Sequence, residues 1–309
     1  MPFITGSANS IPDLRTAFLN GLVANGYTLD GNVIYKGDVF IEVTIPTGES
    51  QGENRMLRFL GGTSQAGGVL AGDALSAPRI GFAKATTWTF PVSYNLHIFT
   101  DPDEVYFMVR RDTNEYQFAA SGQGNAEGLP GTGNWLTATF GDSDLDVDHI
   151  DILSRSSFGW IVDGAFVASQ APFWSSGTFR NTVLHVGMDG VSWAEITVSG
   201  NNTGNLNASR SAHPHIDRSP NTWNSEALLL PIQPTFLRAS DKLSIVGDLE
   251  NARFMRIDNY NPEEIIDLSP DKWMVYPFRA KNVPERDGSV GGVVTHTGTF
   301  GWAIRYDGP

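Results

Sequence analysis

Two groups of side chains have the residue types and the spacing that metal binding requires. The first is a run of carboxylates at alternate positions: Asp142, Asp144, Asp146 and Asp148. Hard cations such as Ca²⁺ bind clustered carboxylate oxygens, but an EF-hand loop would need glycine at Val147 and glutamate at Leu153. Alternate residues of a strand share one face. The sequence therefore favours a solvated strand face and leaves a cation site as the alternative.

The second group combines two imidazoles and a carboxylate at alternate positions, His213, His215 and Asp217. If this segment is extended, the three side chains could chelate a transition metal. The sequence identifies no third or fourth ligand elsewhere, so an ordinary polar loop is the favoured interpretation. No cofactor is predicted, and a structural metal ion at either group is the alternative.

Motifs for covalent, phosphate or zinc-protease chemistry are missing. The sequence has no G-x-S-x-G, no P-loop and no H-E-x-x-H, and it has no cysteine. Gly122, Gly124 and Gly128 have the wrong spacing for a dinucleotide fingerprint, so they are predicted to serve loops. No catalytic residue is predicted, and the expected class is a protein that is not an enzyme.

Composition and charge restrict the partners. Hydrophobic residues make up 40% of the chain and charged residues 18%, which supports a packed core. The formal net charge of −13 opposes direct binding to the phosphate backbone of nucleic acids. No apolar run approaches the roughly 20 residues that span a bilayer, and residues 1–14 lack a signal-peptide pattern. We therefore expect neither nucleic-acid binding, membrane insertion nor secretion.

The elements that position these residues are mostly strands. Ile11–Gly26 has apolar residues at helical spacing and predicts one short amphipathic helix. Residues 32–45 predict two strands joined by a turn at Lys36-Gly37-Asp38, and 88–119 predict a three-stranded meander. Further strands are expected at four places: 150–153, 159–168, 183–187 and 191–198. The predicted fold is mostly β, with antiparallel sandwich or barrel-like domains and one short N-terminal helix.

Polar and glycine-rich stretches suggest where the chain divides. The stretches 48–72, 121–141 and 199–225 carry little apolar surface to offset the entropy cost of ordering. We predict that they are loops that order mainly through contacts with other subunits. The predicted organisation is a β-rich domain with the leading helix over 1–200, a polar linker over 201–225 and a β domain over 226–309.

Aromatic side chains are the candidates for subunit contacts. Large aromatics are expected in β cores, in subunit interfaces and in sugar-stacking platforms. The predicted interface residues are Trp88, Phe90, Tyr94, Trp135, Trp273 and Trp302. Because the same residue types suit all three environments, carbohydrate binding stays open as an alternative.

Five segments resemble virion proteins of tailed bacteriophages: DLRTAFLNGLVANGYTL, LHIFTDPDEVYFMVRR, GLPGTGNW, DKWMVYPFRAKN and FGWAIRYDGP. Together they cover about a fifth of the chain. The resemblance implies a β-rich, non-catalytic structural subunit in many copies at the neck, tail, baseplate or capsid surface. It implies contacts with copies of itself and with other virion proteins, and synthesis in the host bacterial cytoplasm before incorporation into the virion.

The resemblance also bears on the alternatives. Several structural tail proteins coordinate metal through paired histidines, which would place an assembly metal site at His213 and His215. The alternative function is a carbohydrate-binding, receptor-binding β-sandwich protein that contacts a host surface glycan. A glycan-degrading enzyme is the lesser alternative, because its two carboxylates need a defined separation that a sequence does not give.

Overall fold

The computed structural model describes residues 2–47, 54–82, 88–125, 128–141, 181–195, 206–207, 228–257, 259–278, 281 and 300–308. This part of the chain is mostly antiparallel β-sheet with one α-helix, α1 (Ile11–Val23). The sheets pack face to face, and none of the described sheets closes into a barrel. The predicted fold class is therefore confirmed in its sandwich form.

Local sequence explains the helix. Ser10 is the N-cap, and its hydroxyl accepts a hydrogen bond from the backbone N–H of Asp13 at 3.1 Å. Leu14, Phe18 and Leu22 recur on one face and are buried. The helix ends at Val23, three residues before the predicted stop, and Gly26 follows in a turn with φ +89°.

The strands alternate with short turns along the chain. They are β1 (Phe3–Ala8), β2 (Thr28–Asp30), β3 (Val33–Lys36), β4 (Val39–Thr44), β5 (Met56–Gly62), β6 (Ser64–Ala66), β7 (Val69–Ala71), β8 (Arg79–Gly81), β9 (Val92–Thr100), β10 (Asp103–Asp112), β11 (Glu115–Gln123), β12 (Asn134–Ala138), β13 (Thr182–Met188), β14 (Val191–Glu195), β15 (Leu206–Asn207), β16 (Leu230–Ile232), β17 (Thr235–Arg238), β18 (Lys242–Ile245), β19 (Leu249–Arg256), β20 (Ile265–Leu268), β21 (Asp271–Pro277) and β22 (Phe300–Arg305). The strands predicted at 183–187 and 191–198 correspond to β13 and β14. Those predicted at 150–153 and 159–168 lie outside the described residues.

The sheets form three layers. A central sheet of seven strands has the order β1-β9-β10-β11-β12-β13-β14. One of its faces shares a core with α1 and a five-stranded sheet of order β2-β3-β4-β5-β8. Its other face shares a core with the C-terminal sheet of order β16-β19-β22-β21-β20 and with the small sheet β15-β17-β18. The central sheet is thus covered on both faces.

Strand β10 shows how the sequence produces this burial. Val105, Phe107 and Val109 point to the core on the helix side, because alternate residues of a strand share a face. Tyr106 and Met108 point to the core on the C-terminal side. A strand buried on both faces has a nearly continuous apolar run, as Val105–Val109 does here. The predicted three-stranded meander is confirmed as β9, β10 and β11.

The predicted loop at 48–72 is wrong for the part of it that the structure describes, residues 54–72. Strand β5 lies there and pairs with β4 and β8, and β6 and β7 form a hairpin. Leu57 and Phe59 are buried in the core on the helix side, so this segment has enough apolar surface to order within one chain. The Trp193 indole N–H also donates to the carbonyl of Gly72 at 2.8 Å.

The predicted loop at 121–141 is also wrong in part. Strand β11 continues to Gln123, and β12 covers Asn134–Ala138 with every residue buried. Trp135 provides the reason, because it has no exposed surface and packs in the core on the C-terminal side. These strand segments are held by contacts inside one chain, so the prediction that they order mainly through other subunits does not apply to them.

One core joins the two predicted domains. The C-terminal side of the central sheet packs against residues of the C-terminal sheet, such as Phe254 and Trp302. Within the predicted linker at 201–225 the structure describes only Leu206 and Asn207, and Leu206 is buried in this same core. The segments 1–200 and 226–309 therefore share one hydrophobic core.

Candidate functional site

The metal-ligand candidates from the sequence all lie outside the described residues: Asp142, Asp144, Asp146, Asp148, His213, His215 and Asp217. Both groups therefore stay predictions. Within the ranges that the structure describes, no group of three or more His, Asp or Glu side chains is placed to hold a metal ion.

Two of the six predicted interface aromatics belong to the core. Trp135 and Trp302 have no exposed surface in the single chain. The Trp302 ring packs on Phe118 with centroids 4.8 Å apart, and the Trp135 ring on Tyr106 at 6.0 Å. The interface assignment is wrong for these two, because a side chain buried inside one subunit offers no surface to another. Sequence cannot separate the two roles, since both environments favour aromatics.

The other four predicted aromatics are less uniform. Trp88 and Trp273 are nearly buried, and the guanidinium of Arg253 lies 5.0 Å from the centroid of Trp273. Phe90 and Tyr94 are half-buried. Their role in subunit contacts stays a prediction.

A group of buried polar side chains lies between the central and the C-terminal sheets. It comprises Asn95 and His97 on β9, Glu104 on β10, Asn251 on β19 and Tyr276 on β21. We call these five residues the polar seam. None of these five residues is predicted from the sequence as a site residue. One signal for Glu104 was present in the sequence. Residues two apart in a strand lie on the same face, so Glu104 shares a face with Tyr106 and Met108.

Glu104 connects the two sheets through hydrogen bonds from four donors. The Tyr106 hydroxyl donates to Oε2 at 2.8 Å, and the backbone N–H of Glu250 donates to Oε1 at 3.0 Å. The backbone N–H and the side-chain amide of Asn251 both donate to Oε2 at 3.0 Å. Buried polar groups are stable only when they are hydrogen-bonded. This carboxylate therefore fastens the start of β19 to the central sheet.

A second set of contacts runs from the interior to the surface. His97 Nε2 lies 2.9 Å from the Tyr276 hydroxyl, which also accepts a hydrogen bond from the Asn95 amide at 3.1 Å. The same amide donates to Glu263 at 3.0 Å. Glu263 also pairs with Arg110 at 3.3 Å. The contacts join β9 and β10 to the C-terminal sheet and to the turn that precedes β20.

Burial shifts the pKa of His97 and of Glu104. It lowers the pKa of His97 to about 3, while a hydrogen bond with the backbone of Arg305 acts in the opposite direction. Burial raises the pKa of Glu104 to about 7, while its hydrogen bonds with Tyr106, Asn251 and Glu250 favour the ionised form. His97 is therefore neutral at physiological pH, and Glu104 titrates close to neutrality.

The seam is arranged for cohesion and not for catalysis. A general acid or base must come within hydrogen-bond reach of its substrate. Glu104 has no exposed surface and His97 almost none, and both side chains are engaged by neighbouring groups. The hydrogen bonds of these groups hold the central and C-terminal sheets together.

Replacing either Glu104 or His97 alone is expected to change the slope of the free energy of unfolding against pH. The change has opposite sign for the two replacements. In Glu104→Gln, His97 still titrates; its contribution is complete above its ordinary pKa of 6.5 and is lost as pH falls toward 3. In His97→Gln, Glu104 still titrates; its contribution is complete below 4.5 and is lost as pH rises through about 7.

The test compares each variant with the wild type, in which the two slopes oppose each other between pH 4.5 and 6.5. The difference from the wild type should change by up to about 1.4 kcal/mol per pH unit, with opposite sign for the two variants. Urea unfolding between about pH 4 and about pH 8 measures it. Parallel profiles for all three proteins would contradict the assigned titrations.

Four of the nine exposed large apolar side chains among the described residues lie on two strands at sheet edges. On β18, the edge of the small sheet, Leu243 is 51% exposed and Ile245 is 61% exposed. On β20, the edge of the C-terminal sheet, Ile265 is 43% exposed and Leu268 is 54% exposed. Edge strands offer backbone N–H and C=O groups for pairing, and apolar side chains there favour association. We call these strands the β18 edge and the β20 edge.

Comparison with protein families and with curated sequences finds no match. No protein-family model matches the chain, and no curated protein sequence matches it significantly. Among the described residues, no helix has the length and apolar character that crossing a membrane requires. The function is therefore inferred from the sequence and the structure of this chain.

Proposed function

We propose that this chain is a non-catalytic structural subunit of a tailed-bacteriophage virion, present in multiple copies at the neck, tail, baseplate or capsid surface. One observation carries the proposal. The titratable groups of the polar seam are buried and fasten sheets together, whereas four of the nine exposed large apolar side chains of the described residues lie on two edge strands. This distribution suits a protein whose function is cohesion and association.

The phage context comes from the sequence resemblance. Two of the resembling segments, 96–111 and 271–282, include most of β9 and β10 and all of β21. The two segments contain three of the five polar-seam residues, His97, Glu104 and Tyr276. The resemblance therefore covers residues that join the central and C-terminal sheets.

The carbohydrate-binding alternative needs accessible aromatic faces. Trp135 and Trp302 are buried, so they provide none. Tyr35 and Phe40 form a half-buried stacked pair on the β3–β4 hairpin, with ring centroids 5.5 Å apart. Because these two rings stack on each other, part of their aromatic surface is already covered. The structural role is the better supported of the two.

The proposed function predicts a fixed place in a particle. An antibody against this chain, used with gold labelling on purified phage particles from the host that encodes it, should label one location repeatedly. Quantitative mass spectrometry of the same particles should give several copies per particle. Recovery of the chain only in the particle-free lysate fraction would contradict the proposal. An unrelated cytoplasmic protein of the host serves as the control for carry-over.

A further inference from the structure

We propose that copies of this chain associate head to tail, with the β18 edge of one copy pairing antiparallel with the β20 edge of the next. The inference rests on the proposed multi-copy function and names the surfaces and the partner, a second copy of this chain. Three properties of β18 and β20 support it: their exposed apolar side chains, their position at sheet edges and the charges of their residues.

The β18 edge is a short strand with one described neighbour, β17. Residues of the two strands pair antiparallel from Thr235 opposite Ile245 to Arg238 opposite Lys242. An antiparallel edge strand presents alternate N–H and C=O groups away from its neighbour. Together with exposed Leu243 and Ile245, the β18 edge offers both the backbone groups and the apolar surface that strand addition uses.

The β20 edge has the matching geometry. Among the described strands it pairs only with β21, from Ile265 opposite Met274 to Leu268 opposite Asp271. Its exposed side chains include Ile265 and Leu268. Each copy of the chain therefore carries two different edges of the same length, four residues each.

Charge selects which edges pair. The chain carries a net charge of −13, so copies repel each other unless their contact sets a cation against a carboxylate. The β18 edge has Lys242 and the β20 edge has Asp267, and both residues are exposed. Antiparallel pairing with Lys242 opposite Asp267 also sets Leu243 opposite Ile266, because the register advances one residue on each strand.

Contacts between two β18 edges or between two β20 edges lack the pairing of Lys242 with Asp267. In a fully overlapped antiparallel pair of two β18 edges Lys242 would lie opposite Ile245, and in a pair of two β20 edges Asp267 would lie opposite Ile266, so neither contact sets a cation against a carboxylate. A head-to-tail contact instead leaves one β18 edge and one β20 edge free after every addition. Such contacts produce rings if the rotation closes and filaments if it does not.

Two single substitutions test the contact. Ile245→Asp blocks the β18 edge and Leu268→Asp blocks the β20 edge, and both positions are more than half exposed, so the fold has little to lose. Val69→Asp is the matched control, since Val69 is 67% exposed on the β6–β7 hairpin. Sedimentation velocity over a range of protein concentrations measures association, and circular dichroism checks folding.

The expected result has three parts. The wild type and Val69→Asp form species larger than dimers as concentration rises. Each blocked variant associates at least about tenfold more weakly than the wild type. An equimolar mixture of the two blocked variants forms dimers and nothing larger, because it contains one intact pair of edges.

Other outcomes overturn the contact in distinguishable ways. Unchanged association of both blocked variants would show that the edges are not used, and the proposed function would stand. Loss of association in Ile245→Asp alone, with Leu268→Asp still forming dimers and nothing larger, would indicate a symmetric β18 contact. A wild type that stays monomeric, while particles still carry the gold label, would also overturn the contact and leave the proposed function in place.

Discussion

Glu104→Ala is expected to lower the free energy of unfolding by about 3 to 5 kcal/mol, because several buried hydrogen-bond donors lose their acceptor together. The substitution leaves the Tyr106 hydroxyl, the Glu250 N–H and two donors of Asn251 without their acceptor. Each buried donor left unsatisfied costs about 1 to 3 kcal/mol. Several are lost together, so the effect should exceed that of an ordinary polar substitution.

Chemical unfolding in urea, followed by tryptophan fluorescence, measures the loss. Glu115→Ala is the matched control, because Glu115 is a surface carboxylate that pairs with Arg111. Exposed ion pairs contribute about 0 to 1 kcal/mol. Equal losses for the two variants would show that Glu104 does not fasten the sheets. Glu104→Gln should fall between them, since it retains one acceptor oxygen and places an amide donor against donors.

Gly122 supports the same assignment from the opposite strand. It lies in β11 directly opposite Glu104. A Cβ at this position would lie 2.9 Å from Glu104 Cγ and 2.9 Å from Trp135 Cζ2. The sequence predicts a loop at this glycine, because glycine is common in loops. In the structure its missing side chain makes room for the buried carboxylate and the indole, so its loop assignment is wrong.

Features with local causes could be predicted from the sequence. The helix follows from Ser10 as N-cap and from the spacing of Leu14, Phe18 and Leu22. The meander follows from three apolar runs separated by short turns, now β9, β10 and β11. In each case the determining residues lie within a few positions of one another, so a pattern in a short window is enough.

The polar seam could not be predicted, because its partners are far apart in the sequence. Glu104 and Asn251 are 147 residues apart, and Asn95 and Tyr276 are 181 residues apart. Which side chains meet depends on how the central and C-terminal sheets stack, and no local pattern specifies that stacking. The same limit applies to Trp302, whose strand lies in the middle of the C-terminal sheet. Sequence marks it as aromatic and strand-like, which fits a core and an interface equally well.

Trp302→Ala is expected to cost about 3 to 5 kcal/mol of folding free energy, the usual range for truncating a buried tryptophan. Trp302 has no exposed surface, and its ring packs on Phe118, Tyr106 and Phe278 with centroids 4.8, 5.7 and 6.3 Å away. Two of these rings belong to the central sheet and its meander, so the cavity would open between layers and not inside one sheet.

Trp302→Phe is the control that separates volume from hydrogen bonding. The indole N–H of Trp302 has no hydrogen-bond partner among the described residues, so phenylalanine removes a buried unpaired donor and leaves a smaller cavity. Its cost should be clearly below that of alanine, and urea unfolding of the three proteins gives both differences. Because the substitution acts on the folding of one subunit, particle yield should fall with the fraction of folded chain. Wild-type stability of Trp302→Ala would mean that the two sheets do not depend on this contact.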